Sequence, residues 1–277
     1  MHSTRIGLHY GRALLVATLA LIGSAVITPS HAAGPFYVRQ PDVEKGETDI
    51  EEHSTAFVGP GEDEQFHQKH EIELERGLTD RWKLLVEGFF EQPVGGNLQA
   101  TEFELGGQYE FIKPQGENGF AAAFRTLYEW ISDAPDEIFF GPIVRYTKGP
   151  DSTTLNIFFA GQIGDHPNIE GLEFQYNWQL KHELSRRLAF GVEAFGNIED
   201  LAHPGLFNEQ LHRVGPVIYL NFGWQADSVS PRKREDGETD GGQESRSLKL
   251  ETAAGVLFGL TDVTSDVTFK FDAELEF

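Results

Sequence analysis

The sequence predicts an all-β fold: a closed antiparallel up-and-down transmembrane β-barrel of twelve strands, with ten as the alternative count. Three observations carry this. Long stretches alternate apolar and polar residues with a period of two, which gives strands one oily side and one charged side. Past residue 32 no apolar run approaches the roughly 20 residues that a membrane-crossing helix needs. The stretch Val267 to Phe277 puts Val267, Phe269, Phe271, Ala273, Leu275 and Phe277 on one face and Thr268, Lys270, Asp272, Glu274 and Glu276 on the other. Such a ribbon suits the closing strand of a barrel, with its apolar face toward lipid.

Residues 1–32 read as a secretory signal peptide. Arg5 and Arg12 form the basic region, Ala13 to Ile27 the apolar region, and Ser30-His31-Ala32 the small-x-small cleavage site. Residues 33–46, with Pro35 and Pro41, read as an extended periplasmic lead-in to a barrel domain over 47–277. The chain carries 22 Lys and Arg against 44 Asp and Glu, a formal charge of −22, which argues against nucleic acid as a partner. Cysteine is absent, so there is neither a disulfide framework nor a thiolate metal site.

Taken in order, the first strand is expected over Thr48 to Val58, where the alternation is poor. The second puts His70, Ile72, Leu74 and Leu78 opposite Glu71, Glu73 and Glu75, and turns at Leu78-Thr-Asp-Arg81. The third runs from Trp82 to Gln92 with Trp82, Leu84, Val86 and Phe90 on one side. Gly and Pro in the 93–97 stretch break the ladder. The fourth, Thr101 to Ile112, sets Phe103, Leu105, Tyr109 and Phe111 against Glu102, Glu104, Gln108 and Glu110. The fifth spans Phe120 to Ile131, the sixth Glu137 to Lys148 and the seventh Thr153 to Gly164, each with aromatic or aliphatic residues on one face. The eighth alternates most cleanly: Leu172, Phe174, Tyr176, Trp178, Leu180 and Leu184 against Glu173, Gln175, Asn177, Gln179, Lys181 and Glu183, with His182 on the apolar side. The ninth is Leu188 to Ile198, the tenth Gln210 to Gly223, the eleventh Ser247 to Phe258 and the twelfth the terminal ribbon.

Parity then places the longer connections, near 59–65, 93–98, 132–136, 165–170 and 199–209, at one end and the short turns at the other. The polar stretch 225–246 breaks that pattern and reads as a disordered insertion. A secreted β-sandwich would share the alternation, but would use shorter strands. Aromatics near strand ends, such as Trp82, Tyr109, Trp130 and Tyr146, suit the girdles of a membrane barrel.

Four stretches carry a family resemblance: Pro41-Asp-Val-Glu-Lys-Gly-Glu47, Glu75-Arg-Gly-Leu-Thr-Asp-Arg-Trp82, Phe207-Asn-Glu-Gln-Leu-His-Arg-Val-Gly-Pro-Val217, and Gly255-Val-Leu-Phe-Gly-Leu-Thr-Asp262 with the terminal strand. On these the chain resembles a family of proteobacterial outer-membrane β-barrels of unassigned activity. More distantly, its Gly-Leu-Thr-Asp-Arg-Trp hairpin is similar to barrels of the phenol-degradation-associated and hydrophobic-compound uptake class. The resemblance implies the barrel fold and a location in the cell outer membrane, and brings no catalytic residues. The terminal strand also looks like the C-terminal signal that the barrel-assembly machinery reads. Phe269, Phe271, Leu275 and Phe277 would carry that signal.

The charged faces would line the lumen. Glu71, Glu73, Glu75, Glu87, Glu102, Glu104, Glu110, Glu129, Glu173, Glu193, Glu251, Asp272 and Glu274 would project there, met by Arg125, Arg145, Lys181, Arg213, Lys249 and Lys270. This predicts a passive channel or solute-passage protein with an acidic, cation-favouring lumen, and outer-membrane lipid and small solutes or cations as partners. The alternative is a closed structural barrel with a salt-bridged interior. An enzyme is the third class, and Ser54, Thr126 and Ser185 have no His at a persuasive sequence position to activate them. His67 and His70 fall on opposite faces of one strand, so no metal site or other cofactor is expected there.

Overall fold

A computed structural model of the chain describes residues 35–59, 66–114, 116, 118–132, 134–164, 171–225 and 247–277. The expected signal peptide and nearly all of the 225–246 insertion lie outside these described residues.

Twelve strands form one closed antiparallel barrel: β1 (Thr48–Val58), β2 (Phe66–Gly77), β3 (Trp82–Pro93), β4 (Gln99–Ile112), β5 (Gly119–Ile131), β6 (Glu137–Lys148), β7 (Asp151–Gln162), β8 (Glu173–Ser185), β9 (Leu188–Ile198), β10 (Leu211–Gln225), β11 (Ser247–Gly259) and β12 (Val267–Glu276). Each pairs with its sequence neighbours, and β12 returns to β1. At that seam the Phe277 N–H donates to the Thr48 carbonyl and the Thr48 N–H to the Phe277 carbonyl, both at 3.0 Å. Closure leaves no edge of unpaired backbone, which a sheet in lipid requires.

The outer wall is apolar and bare: Phe269 is 50% exposed, Ile72 47% and Leu74 44%. Their strand neighbours Glu71, Glu73 and Glu75 are buried inside. Outward aromatics touch across strands. Trp82 meets Tyr109 at 4.7 Å at the short-turn end, and Phe103 meets Trp130 at 5.6 Å at the other. A row of Phe124, Phe140, Phe159 and Phe174 crosses four strands at centroid spacings of 5.6 to 6.5 Å. Aromatic cross-strand pairs of this kind stabilise a sheet face.

The first strand forms over the expected residues despite its weak alternation. Its outward face carries Glu52 and Ser54, while Phe57 is buried inward, so both faces are mixed. The β6–β7 connection is shorter than the sequence suggested, because Asp151 and Ser152 already pair with His182 and Lys181. Gly149 at φ 60 makes this possible: a Gly at the first position of a two-residue hairpin loop supplies a twist that suits the strands.

Nothing lies within 4 Å of where a Gly149 Cβ would stand, so its substitution tests backbone alone. Gly149→Ala is expected to destabilise the barrel by about 1 kcal/mol. The shift would be read as a lower urea midpoint for the barrel folded into lipid vesicles.

Candidate functional site

The lumen is the site, and the chain itself runs through it. Residues 35–46, expected as a periplasmic lead-in, run without a turn to Glu44, with Pro35 to Val38 and Val43 buried inside the barrel, and turn at 45–46. Phe36 packs against Phe195 at 5.4 Å and Phe57 at 6.2 Å, with the Arg213 guanidinium 3.8 Å over its ring. Tyr37 stacks flat on His53 at 3.5 Å, and its hydroxyl donates to Glu73 at 2.6 Å and Glu71 at 3.1 Å. Arg39 reaches Glu87 at 2.9 Å and Glu71 at 3.3 Å.

The backbone of this segment is held as well. Asn156 accepts from the Arg39 N–H at 2.8 Å and donates to its carbonyl at 2.9 Å, replacing the ladder that an extended strand would otherwise need. Gln108 donates to the Gln40 carbonyl, Glu110 accepts from the Val43 N–H, and Lys113 donates to the Val43 carbonyl. Arg145 grips Asp42 through both guanidinium nitrogens. At the short-turn end the Gly46 N–H donates to the Gly77 carbonyl at 2.9 Å and the Gly77 N–H to the Glu47 carbonyl at 3.0 Å. A Cβ on Gly77 would stand 1.8 Å from the Glu44 carbonyl, so glycine is what allows the clasp to close.

The segment parts the lumen into two chambers. The one at the short-turn end has a cavity volume of about 670 Å³; the one at the long-connection end, bounded by Pro35, Phe36 and Arg39, has about 80 Å³. One apolar cluster takes in the partition, and a second lies on the wall beneath its Arg39. The wall cluster is Leu85, Ala123, Leu127, Phe139, Ile143, Phe158 and Ala160; the other joins Phe36 and Val38 to Phe57, Phe195 and Leu257. The inner wall is therefore not uniformly charged. The doublets Leu84-Leu85, Phe89-Phe90, Phe139-Phe140 and Phe158-Phe159 hold the signal for this, since each puts an apolar side chain on both faces.

All the charged candidates read from the sequence sit on the inward face. Glu71, Glu73, Glu75, Glu87, Glu104, Glu110, Glu129, Glu173, Glu193, Arg125, Arg213 and Lys270 are buried there. Glu102 lines the smaller chamber, and Arg145, Lys181, Lys249, Glu251, Asp272 and Glu274 line the larger. Arg125 is their hub. It pairs with Glu73 and Glu87 through Nη2 and with Glu75 through Nη1 at 3.3 Å. Lys270 joins Glu193 at 2.5 Å to Asp272 at 2.9 Å.

Register brings together what spacing did not reveal. Glu251, Glu274, Glu51, Glu73, Glu87, Glu104, Glu129 and Glu137 are cross-strand partners in succession over β11, β12 and β1 to β6. Because barrel strands are tilted and staggered, a row along the hydrogen-bond direction climbs as it circles. This one starts in the larger chamber and ends in the smaller. Like charges directly opposite one another destabilise a sheet, so the row is costly to build. Arg125 and Arg39 neutralise its middle steps at Glu73 and Glu87. Sequence reasoning left out Tyr37, Arg39, Glu51, His53 and Glu137. Tyr37 and Arg39 lie before the first strand, where alternation has nothing to say.

On the outer wall, the expectation that no His stands near Ser54 is overturned. Ser54 and His70 are register partners, 16 residues apart in sequence, and Ser54 Oγ lies 3.0 Å from His70 Nδ1. Glu52 Oε1 meets that same nitrogen at 3.2 Å. A nucleophile relay needs the serine on one ring nitrogen and the acid on the other. The three side chains form a polar clasp between strands without relay geometry.

The sequence matches no protein-family model and no curated protein. Among solved structures, it is similar to the KdgM porin in complex with disordered oligogalacturonate (8% identity, TM-score 0.46, covering 83% of this chain and 98% of that one). It is also similar to the NanC porin (6%, 0.49, 83% and 98%) and to the outer-membrane protein Omp33 of Acinetobacter baumannii (8%, 0.41, 84% and 98%). With TM-scores below 0.5, none of these barrels informs the chemistry of this one.

Two outcomes are expected of the site. Arg125→Met removes the cation that three buried carboxylates share and is expected to destabilise the barrel by about 3–5 kcal/mol. Adding Glu73→Gln and Glu87→Gln is expected to recover most of that loss, with urea unfolding in vesicles as the measure. Glu47, just before β1, has its carboxyl pushed up to about 7 by burial and by its neighbours Asp49, Glu276 and Glu44. A raised acid is protonated in the folded state, so its contribution to stability is present below the ordinary carboxyl range and is lost as pH rises through about 7. Amide exchange at Gly46, Gly77 and Thr48, corrected for intrinsic rates, is expected to be faster at pH 8 than at pH 5, and Glu47→Gln to abolish the difference.

Proposed function

We propose that the protein is an outer-membrane channel for cations or cationic solutes, closed at mid-height by its own segment 35–46. The observation that supports this is the row of eight register-paired glutamates climbing from one chamber to the other. A lumen with one sign of charge between low-dielectric walls concentrates ions of the other sign. The ends of the row, Glu251, Glu274 and Glu51 on one side and Glu104, Glu129 and Glu137 on the other, face the chambers. Its middle is occupied by Arg125 and by Arg39 of the partition. Arg39 thus stands where a passing cation would have to stand, and holds the channel shut by occupying its sites.

A second reading, a closed structural barrel of the envelope, is favoured by one observation: the partition is packed into an apolar cluster through Phe36 and Val38 and anchored through its backbone.

Planar-bilayer conductance under a KCl gradient separates the two. The wild-type barrel is expected to give small and infrequent steps. Tyr37→Ala/Arg39→Ala is expected to open more often and to larger steps that prefer K⁺ over Cl⁻. Glu104→Gln/Glu129→Gln on that background is expected to reduce the preference several-fold. A loosened barrel that inserts and stays silent, or conducts without cation preference, would overturn the channel reading; silence would favour the closed one.

A further inference from the structure

We propose that the short-turn mouth of the barrel holds a calcium site built from Asp49, Glu274 and Glu276. These residues face the lumen from the two strands of the closing seam. Asp49 is the register partner of Glu276, and Glu274 lies one inward position further along β12, opposite Glu51. One carboxylate oxygen from each of the three lies within 4.8 Å of the others. Calcium binds oxygen at about 2.3–2.6 Å, so its ligands stand up to about 5 Å apart across the ion. A single ion can therefore span the group without rearrangement of the strands.

An independent feature points to a ligand. Asp49 is 94% buried (6% exposed), and its Oδ1 accepts no hydrogen bond among the described residues. A buried carboxylate oxygen with no donor is costly to desolvate, and a bound cation removes the cost. The surrounding charges add to the demand. Glu274 sits between Glu51 on one neighbouring strand and Glu251 on the other, and Asp49 between Glu276 and Glu75. Lys249 meets Glu251 at 2.7 Å and Glu276 at 3.0 Å, and Lys83 pairs with Glu75. Glu51 meets His53 at 3.1 Å, so among the described residues Asp49 and Glu274 are left without an ion pair, and a divalent ion would supply the missing charge.

The donor set selects the metal. Three carboxylates with no imidazole or thiolate make a hard, all-oxygen site. The ligands come from two strands at uneven heights, and calcium accepts irregular geometry whereas magnesium demands a near-ideal octahedron. The larger chamber opens beside the group, with room for waters to complete the coordination.

The test is calorimetric titration of CaCl₂ into the full barrel, refolded in detergent and stripped with chelator. One saturable equivalent is expected, with a dissociation constant of about 1 mM or tighter, and weaker binding of MgCl₂. Asp49→Asn/Glu274→Gln is expected to weaken binding at least tenfold. Glu104→Gln/Glu129→Gln, which removes acids from the other chamber, is expected to bind as the wild type does. No saturable calcium heat, unchanged binding in the seam variant, or loss of binding in the far-chamber variant would each overturn the site. A control covers folding: without metal, the seam variant is expected to be at least as stable as the wild type, since repulsion has been removed. Lower metal-free stability would refute the electrostatic argument. Calcium binding does not depend on conduction, so an electrically silent barrel leaves this test intact.

Discussion

The interior depends on one buried cation. Arg125 holds Glu73, Glu75 and Glu87 together on two neighbouring strands, in a space too dry for any of these carboxylates to be solvated alone. Around that hub the other contacts follow. Glu73 and Glu87 are also partners of Tyr37 and Arg39, so the carboxylates that Arg125 gathers are the ones that anchor the segment crossing the lumen. Without the hub the wall would carry mutually repelling charges at the height where the partition sits. Arg125 serves both to close the lower wall and to prepare the surface on which Arg39 docks.

Much of the architecture was legible because a barrel with an apolar outer face and a charged interior enforces the period-two pattern strictly. The eighth strand, from Glu173 to Ser185, alternates cleanly, and its expected faces point as they should. The terminal strand was readable for the same reason. What escaped notice escaped for physical reasons. Alternation assigns a face but not a height, so the glutamates could be placed inside without their being recognised as partners in one climbing row. Register depends on hairpin lengths and on the stagger of closure, and neither is written in one strand. Tyr37 and Arg39 were missed because a segment that packs on side chains, rather than in a ladder, has no required period. The meeting of Ser54 with His70 is likewise a register fact, invisible at a separation of 16 residues.

Both surfaces of the wall are interrupted, and the interruptions differ in kind. Inside, apolar clusters replace charge where the chain must be seated, and Phe139 and Phe158 also lie beneath the Arg39 guanidinium at 5.8 and 5.7 Å. Outside, Glu52, Ser54 and His70 replace apolar residues and satisfy one another across β1 and β2. Both obey the same rule: a side chain on the wrong side of the wall is tolerated where a neighbour completes it.

The segment 35–46 is continuous with β1 and clasped to Gly77 at its base. Thermodynamically it is a tethered ligand. A group joined by a short linker competes at an effective concentration on the order of millimolar, whatever the dilution of the protein. On the proposed channel reading, a solute that enters would displace a resident that cannot diffuse away and that returns as soon as the solute leaves. Occupancy of the waist is then set by the solute's affinity for the Glu71, Glu73 and Glu87 carboxylates relative to that of one tyrosine and one arginine. Passage, on that reading, becomes a matter of exchange between rivals for the same seats.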